Sequence, residues 1–236
     1  MKFRRKSAPT VADDTTGDTT GETLDGEIAG ENTDTGDDHA GVPIGPLDIA
    51  EVDLEDSVQR VDLGSLLLTP TEGREVRVQV DDTTQAVQSV MIAGPDGALE
   101  LRAFAAPRNG DLWSDVRPQI VADLERRGGT ATEQEGRFGP ELACERPVEL
   151  PDGTSVVQPT RVVGINGPRW FLRATFLGGP ARSADAAASW EDMLTRVVVR
   201  RGEHAMPVAD PLPITLPGDA RRVGPASSAA SPPVAD

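Results

Sequence analysis

Apolar and polar residues alternate most regularly after position 169, where Trp170, Leu172, Ala174 and Phe176 fall on one side at period two. The run follows Asn166-Gly167-Pro168, so the spacing predicts a strand entered through a tight turn. With only three Trp and five Phe in the chain, the aromatic residues gathered here mark the centre of the core.

Upstream, residues 61–68 are apolar and end at Thr69-Pro70, and residues 75–80 alternate with Val76, Val78 and Val80 on one face. Both patterns predict strands. Two more, over 88–93 and 98–105, are separated by Gly94-Pro95-Asp96-Gly97, a hairpin signal. Trp113, Val116, Ile120 and Leu124 then recur at helical spacing and predict a first helix over about 112–127, stopped by Gly128-Gly129. Pro118 requires either a regular part that begins near Ser114 or a kink. Strands over 130–137, 141–148 and 155–165 follow, joined at Phe138-Gly139-Pro140 and Pro151-Asp152-Gly153.

Beyond Gly178-Gly179-Pro180, the spacing of Ala186, Trp190, Met193, Leu194 and Val197 predicts a second helix over 184–196 and a short strand over 197–200. The fold class is therefore α+β, a mainly antiparallel sheet of seven to nine strands with two helices packed on it. Each helix closes a run of strands, a pattern that admits an internal duplication. In architecture alone, this order also resembles the Mog1/PsbP-type sandwich.

Composition shortens the part that can fold. Residues 7–59 contain no Lys or Arg against fifteen Asp and Glu, too polar a segment to offset its ordering entropy. Residues 1–45 are expected to be a disordered acidic arm, 46–217 a single α+β domain, and the Ala, Ser and Pro-rich stretch 218–236 a disordered tail. Leu47, Ile49, Val52, Leu54 and Val58 each stand beside a carboxylate and suit an arm lying along its own domain, or a docking segment. The Pro-rich stretch 205–217, with Leu212, Ile214 and Leu216 alternating, is expected to strap across the domain rather than fill a partner's aromatic groove.

The net charge of −16 belongs mostly to the arm, since residues 60–217 carry 17 Arg against 22 acids, or −5. Such a balance disfavours nucleic acid and anionic membranes, and the basic cluster at residues 2–6 reads as a solvated terminus. No apolar run reaches the length of a membrane span or a secretory signal, and Cys144 is the single cysteine. A reducing, cytoplasmic setting is the expectation.

Candidate chemistry is sparse. The two histidines, His39 and His204, are far apart in the chain and supply neither a zinc pair nor an acid relay. No nucleophile elbow, P-loop or dinucleotide fingerprint occurs, so no catalytic residue, metal site or cofactor is expected. Cys144 shares a strand face with Arg146 but reads as a buried, inert thiol, and Glu133 with Glu135, or Asp81 with Asp82, as solvated charges.

The arginines offer more. Arg169 and Arg173 are expected on the strand face opposite Trp170, with Phe171 and Thr175, and Arg108 at the corresponding exit of the first half. Arg108, Arg169, Trp170, Phe171 and Arg173 form the candidate ligand-binding set, because an arginine pair beside an aromatic ring can grip a carboxylate, a phosphate or a base. The alternative is that these arginines pair with acids of neighbouring strands and cover apolar surface with their stems.

The segments Ala103-Phe104-Ala105-Ala106-Pro107-Arg108, Gly136-Arg137-Phe138-Gly139-Pro140-Glu141-Leu142, Gly167-Pro168-Arg169-Trp170-Phe171-Leu172-Arg173 and Arg200-Arg201-Gly202-Glu203-His204-Ala205-Met206-Pro207, closed by Pro211-Leu212-Pro213, carry a family likeness. Over about residues 45–217 the chain resembles an actinobacterial family, domain-of-unknown-function family 3710. The resemblance implies a bacterial, cytoplasmic protein with variable ends, and no activity or cofactor. The reading is a noncatalytic protein-binding or scaffold domain whose acidic arm extends an interaction with another protein. Its alternative is an anion or small-ligand sensor, or an enzyme, working on the arginine-lined sheet face.

Overall fold

The computed structural model describes residues 45–80, 87–150 and 152–216. The expected arm (apart from Gly45), the expected tail, His39 and the Asp81-Asp82 pair lie outside the described residues.

The elements run in the order β1 (Leu47–Asp48), β2 (Val61–Asp62), β3 (Leu66–Leu68), β4 (Glu75–Val80), β5 (Val87–Ala93), β6 (Gly97–Ala105), α1 (Leu112–Arg126), β7 (Thr130–Gly136), β8 (Gly139–Glu149), β9 (Ser155–Gly167), β10 (Trp170–Gly178), α2 (Ala184–Thr195) and β11 (Val198–Val199). Seven strands form one antiparallel sheet in the order β4-β5-β6-β10-β9-β8-β7. Four short ones form a second sheet, β1-β11-β3-β2, whose β1–β11 pair is parallel.

The period-two pattern of β10 is used on both faces. Trp170, Leu172, Ala174 and Phe176 join Leu99, Leu101 and Ala103 of β6 in a core roofed by α2 and the small sheet, through Trp190, Leu194, Leu66, Leu68 and Val199. Phe171 points the other way, into a smaller core with Trp113 of α1, Leu142, Cys144 and Val162. The helices therefore lie on opposite faces. Three strands precede α1 in the large sheet and four precede α2, so the two runs share an order without matching strand for strand.

The structure departs from the sequence pattern at three places. Residues 61–68 do not form one strand: β2 and β3 fold back on each other, Val61 opposite Leu68. Asp62 accepts the Gly64 N–H at 2.8 Å and Gly64 sits at φ +81°, a turn that the apolar pattern conceals. The first helix begins at Leu112, as its spacing predicts, because Asp111 caps it, and Pro118 therefore does not fall in its first turn. Pro118 then lies in the second turn on an exposed side, where its missing N–H leaves the Ser114 carbonyl to solvent. The last strand shrinks to the two residues of β11.

Both ends of the described chain lie on the domain. Leu47 and Asp48 pair with Val198 and Val199, and the Trp170 indole donates to Asp48 Oδ2 at 2.6 Å. The proline-rich segment takes over the edge of β6 where β5 leaves it after the Val90–Leu101 pair. There Leu212 donates to the Ala103 carbonyl and Ala105 to the Asp210 carbonyl, each at 2.8 Å. Among the described residues no helix is long and apolar enough to cross a membrane.

Candidate functional site

Helix α1 packs against β7 and β9 and reaches β10 through Trp113 on Phe171, leaving the same face of β4 and β5 and the rest of β6 and β10 without a helix. The β6–β10 register sets three pairs in a row on that face: Glu100 with Thr175, Arg102 with Arg173, and Phe104 with Phe171. Side chains directly opposite across an antiparallel pair stand about 5 Å apart at Cβ, and like charges there repel. Arg102 and Arg173 are such a pair.

Among the described residues no ion pair or hydrogen bond neutralises them. The arginines at 60, 77, 117, 126, 127, 137, 161 and 200 are bonded to carboxylates. Arg102 and Arg173 are not, and Arg102 Nε is buried without an acceptor. Burial, with the neighbouring Arg102 second, holds the Arg173 guanidinium below its usual pKa; Glu100 pulls weakly the other way. Both cations are half-buried and flank Phe104, at 5.6 and 5.9 Å from its ring centre.

An aromatic row bounds the site on the helix side. Phe104 meets Phe171 at 6.0 Å, and Phe171 stacks on Trp113 at 6.0 Å. Trp113 lies directly on Gly164, the β9 neighbour of Arg173, where any Cβ would overlap the indole. On the far side Ser89 is fully buried and donates to Gln79 Oε1 at 3.2 Å.

The sequence-predicted residues disperse. Arg173 lies in the row. Phe171 is 1% exposed beneath Trp113, a wall rather than a contact. Trp170 is 1% exposed on the opposite face and committed to Asp48. Arg169 is not on the strand face: it occupies the turn into β10 at φ +63°, and its carbonyl accepts from Ala106 N and Arg201 Nε. Arg108 is exposed in the loop before α1. Arg169 is about 13 Å along the strand from Arg173 at 3.3 Å per residue.

Sequence reasoning missed Arg102 and Phe104. The signal was the alternation from Leu99 to Ala105, which puts Glu100, Arg102 and Phe104 on one face. Only the register with β10 sets Arg102 beside Arg173.

The other candidates are otherwise engaged. Cys144 is buried with its thiol pushed up by desolvation, Glu133 is bonded to Arg117 at 3.0 Å, and His204 is exposed beside the strap. Among the described residues no three His, Cys, Asp or Glu side chains gather as metal ligands would. Two surface hollows lie elsewhere, one around Arg74 and Gly94, the other around Thr132 and Arg182.

A family model described as "Protein of unknown function (DUF3710)" matches residues 45–223, the whole described domain. The chain belongs to this family. None of the curated proteins matches it. Among solved structures, this chain is similar to a Bacteroides thetaiotaomicron VPI-5482 protein at 13% identity and TM-score 0.34, over 61% of this chain and 48% of that one. It is also similar to the cyanobacterial PsbP (CyanoP) of Synechocystis sp. PCC 6803, at 12% identity and TM-score 0.35, over 63% of this chain and 96% of that one. The chain thus spans about half the length of the Bacteroides protein.

Proposed function

We propose that residues 46–217 are a single noncatalytic binding domain whose working surface is the uncovered half of the large sheet, where Arg102 and Arg173 take an anionic group. The observation that carries this reading is the cross-strand arginine pair to which no carboxylate of the described residues is bonded. Two cations held opposite each other cost free energy that a bound anion returns. Thr175, opposite Glu100 on the next cross-strand pair, supplies an uncharged hydrogen-bonding group, and the Phe104 ring an apolar wall.

A reducing, cytoplasmic setting agrees with the lone buried Cys144, and an acidic chain of net −16 favours a discrete anion over a polyanion. Calorimetric titration of the full chain with inorganic pyrophosphate at low salt tests the reading. Saturable binding is expected, weakened at least tenfold by Arg102→Gln or Arg173→Gln. Absence of binding, or binding by both variants as tight as by the unaltered chain, refutes it.

A further inference from the structure

We infer that the anion taken by Arg102 and Arg173 is a phosphorylated side chain presented by a protein partner. The inference rests on the anion-binding reading above and narrows it in two steps.

The first step concerns charge. The two guanidiniums project from directly opposed positions of β6 and β10 and each lies within 6 Å of the Phe104 ring centre, so both stand beside one aromatic ring. A single carboxylate would leave one cation unmatched. A phosphate monoester carries about −1.5 to −2 charge at neutral pH and three acceptor oxygens, enough for both guanidiniums. The Arg102 Nε–H is buried with no acceptor among the described residues, so the side chain is unsatisfied within the fold.

The second step concerns shape. Free small ligands are held in clefts that bury most of their surface. Here the half-buried arginines stand on a sheet face that no helix covers, and neither of the two hollows described above includes them. A flat two-cation site gains enough contact area when the anion is attached to a chain that also covers the surrounding face, as in recognition of phosphorylated motifs by arginine clusters. Met91 and Phe104, both half-buried on this face, offer that chain apolar contacts. Nucleic acid meets two cations inside a strongly acidic chain, with Glu100 on the next pair, and is disfavoured.

The test uses the full chain and fluorescence anisotropy at low salt. One probe is a degenerate peptide library with a fixed central phosphoserine; the others are the same library with serine and a labelled oligouridylate. The phosphoserine library is expected to bind at least tenfold tighter than the serine library, and Arg102→Gln and Arg173→Gln are each expected to abolish that difference while circular dichroism stays unchanged. Equal binding of the two libraries overturns the inference, as does a preference that survives both variants. Tighter binding of oligouridylate overturns it in favour of nucleic acid.

A parallel titration of the unaltered chain with inorganic phosphate, read on the arginine Nε–H signals, separates the two levels. If phosphate moves the Arg102 and Arg173 signals while the libraries bind equally, the anion site stands and the phosphorylated partner falls. If phosphate moves neither, both fall.

Discussion

Two arginine sites occupy opposite faces of the same sheet, and their surroundings differ in what neutralises them. Arg161 on β9 lies over Phe176 at 4.4 Å and donates to Glu191 of α2 at 2.6 Å, with Glu141 of β8 at a longer 3.5 Å. Glu141, 1% exposed, also accepts from Gln134 at 2.8 Å. Arg173, one strand away and facing the other side, lies near Phe104 with Arg102 opposite and no acid bonded. Each cation has its ring; only Arg161 has its counter-charges. Where α2 closes over the sheet, water is excluded and the charges must be matched from within. Where no helix closes it, no carboxylate of the described residues is bonded to the pair.

The comparison breaks most visibly at Arg161. Arg161→Met leaves Glu141 buried with only Gln134 as a partner, and is expected to destabilise the fold by about 3–5 kcal/mol, read as a fall in the denaturant midpoint. Adding Glu141→Gln to that variant is expected to recover part of the loss, because the stranded charge is gone. A cost below about 1 kcal/mol would mean that Arg161 is as dispensable as Arg173, and the contrast would be lost.

Gly164→Ala sharpens the contrast on the open side. Its Cβ would enter the Trp113 ring, whose Nε1–H is held by the Pro140 carbonyl at 2.6 Å. Helix α1 must shift, and overpacking of this kind costs about 1–3 kcal/mol. Since Trp113 backs Phe171, which backs Phe104, the same variant is expected to weaken anion binding severalfold in the pyrophosphate titration.

Asp111 fixes the start of that helix and gives a smaller effect. It accepts from the Ser114 N–H and from Asn166 Nδ2, and the Asn166 carbonyl oxygen accepts from the Trp113 N–H at 3.2 Å. The Ser114 hydroxyl and N–H, more than Arg117, hold the carboxyl below its usual pKa. A lowered pKa contributes stability above the unfolded value that is lost as pH falls through the folded one. Asp111→Ala is therefore expected to cost about 1 kcal/mol at neutral pH and progressively less below pH 4, measured by urea unfolding at several pH values.

How much of this was legible in the sequence depends on which links are local. Alternation placed Trp170, Leu172, Ala174 and Phe176 on one face, and helical spacing found both helices, because those periods are properties of adjacent residues. The β2–β3 hairpin was lost inside an apolar run, since its turn depends on Asp62 and Gly64 rather than on a polar gap. The arginine pair was half legible: Arg173 stood out beside the aromatics, whereas Arg102 meets it only through a register spanning some seventy residues. Trp170 was selected as a conspicuous aromatic, yet its partner Asp48 lies in a segment whose placement no period predicts.

The smallest effect tests the premise on which the binding reading stands. Arg173→Met removes a cation that burial and Arg102 disfavour in the fold. Its lowered pKa means that the charged form costs stability at every pH below it, and an arginine stays protonated throughout the neutral range, so no pH slope is expected there. The variant is expected to be more stable than the parent by about 0.2–1 kcal/mol at low salt, the size of a cross-strand like-charge repulsion. That gain should shrink as salt rises toward 1 M, where screening acts within about 3 Å. The measurement is guanidine-free thermal or urea unfolding at two ionic strengths. A loss of more than 1 kcal/mol instead of a gain would mean that Arg173 already has an intramolecular counter-charge, and the pair would then be a second Arg161 rather than a vacant anion site.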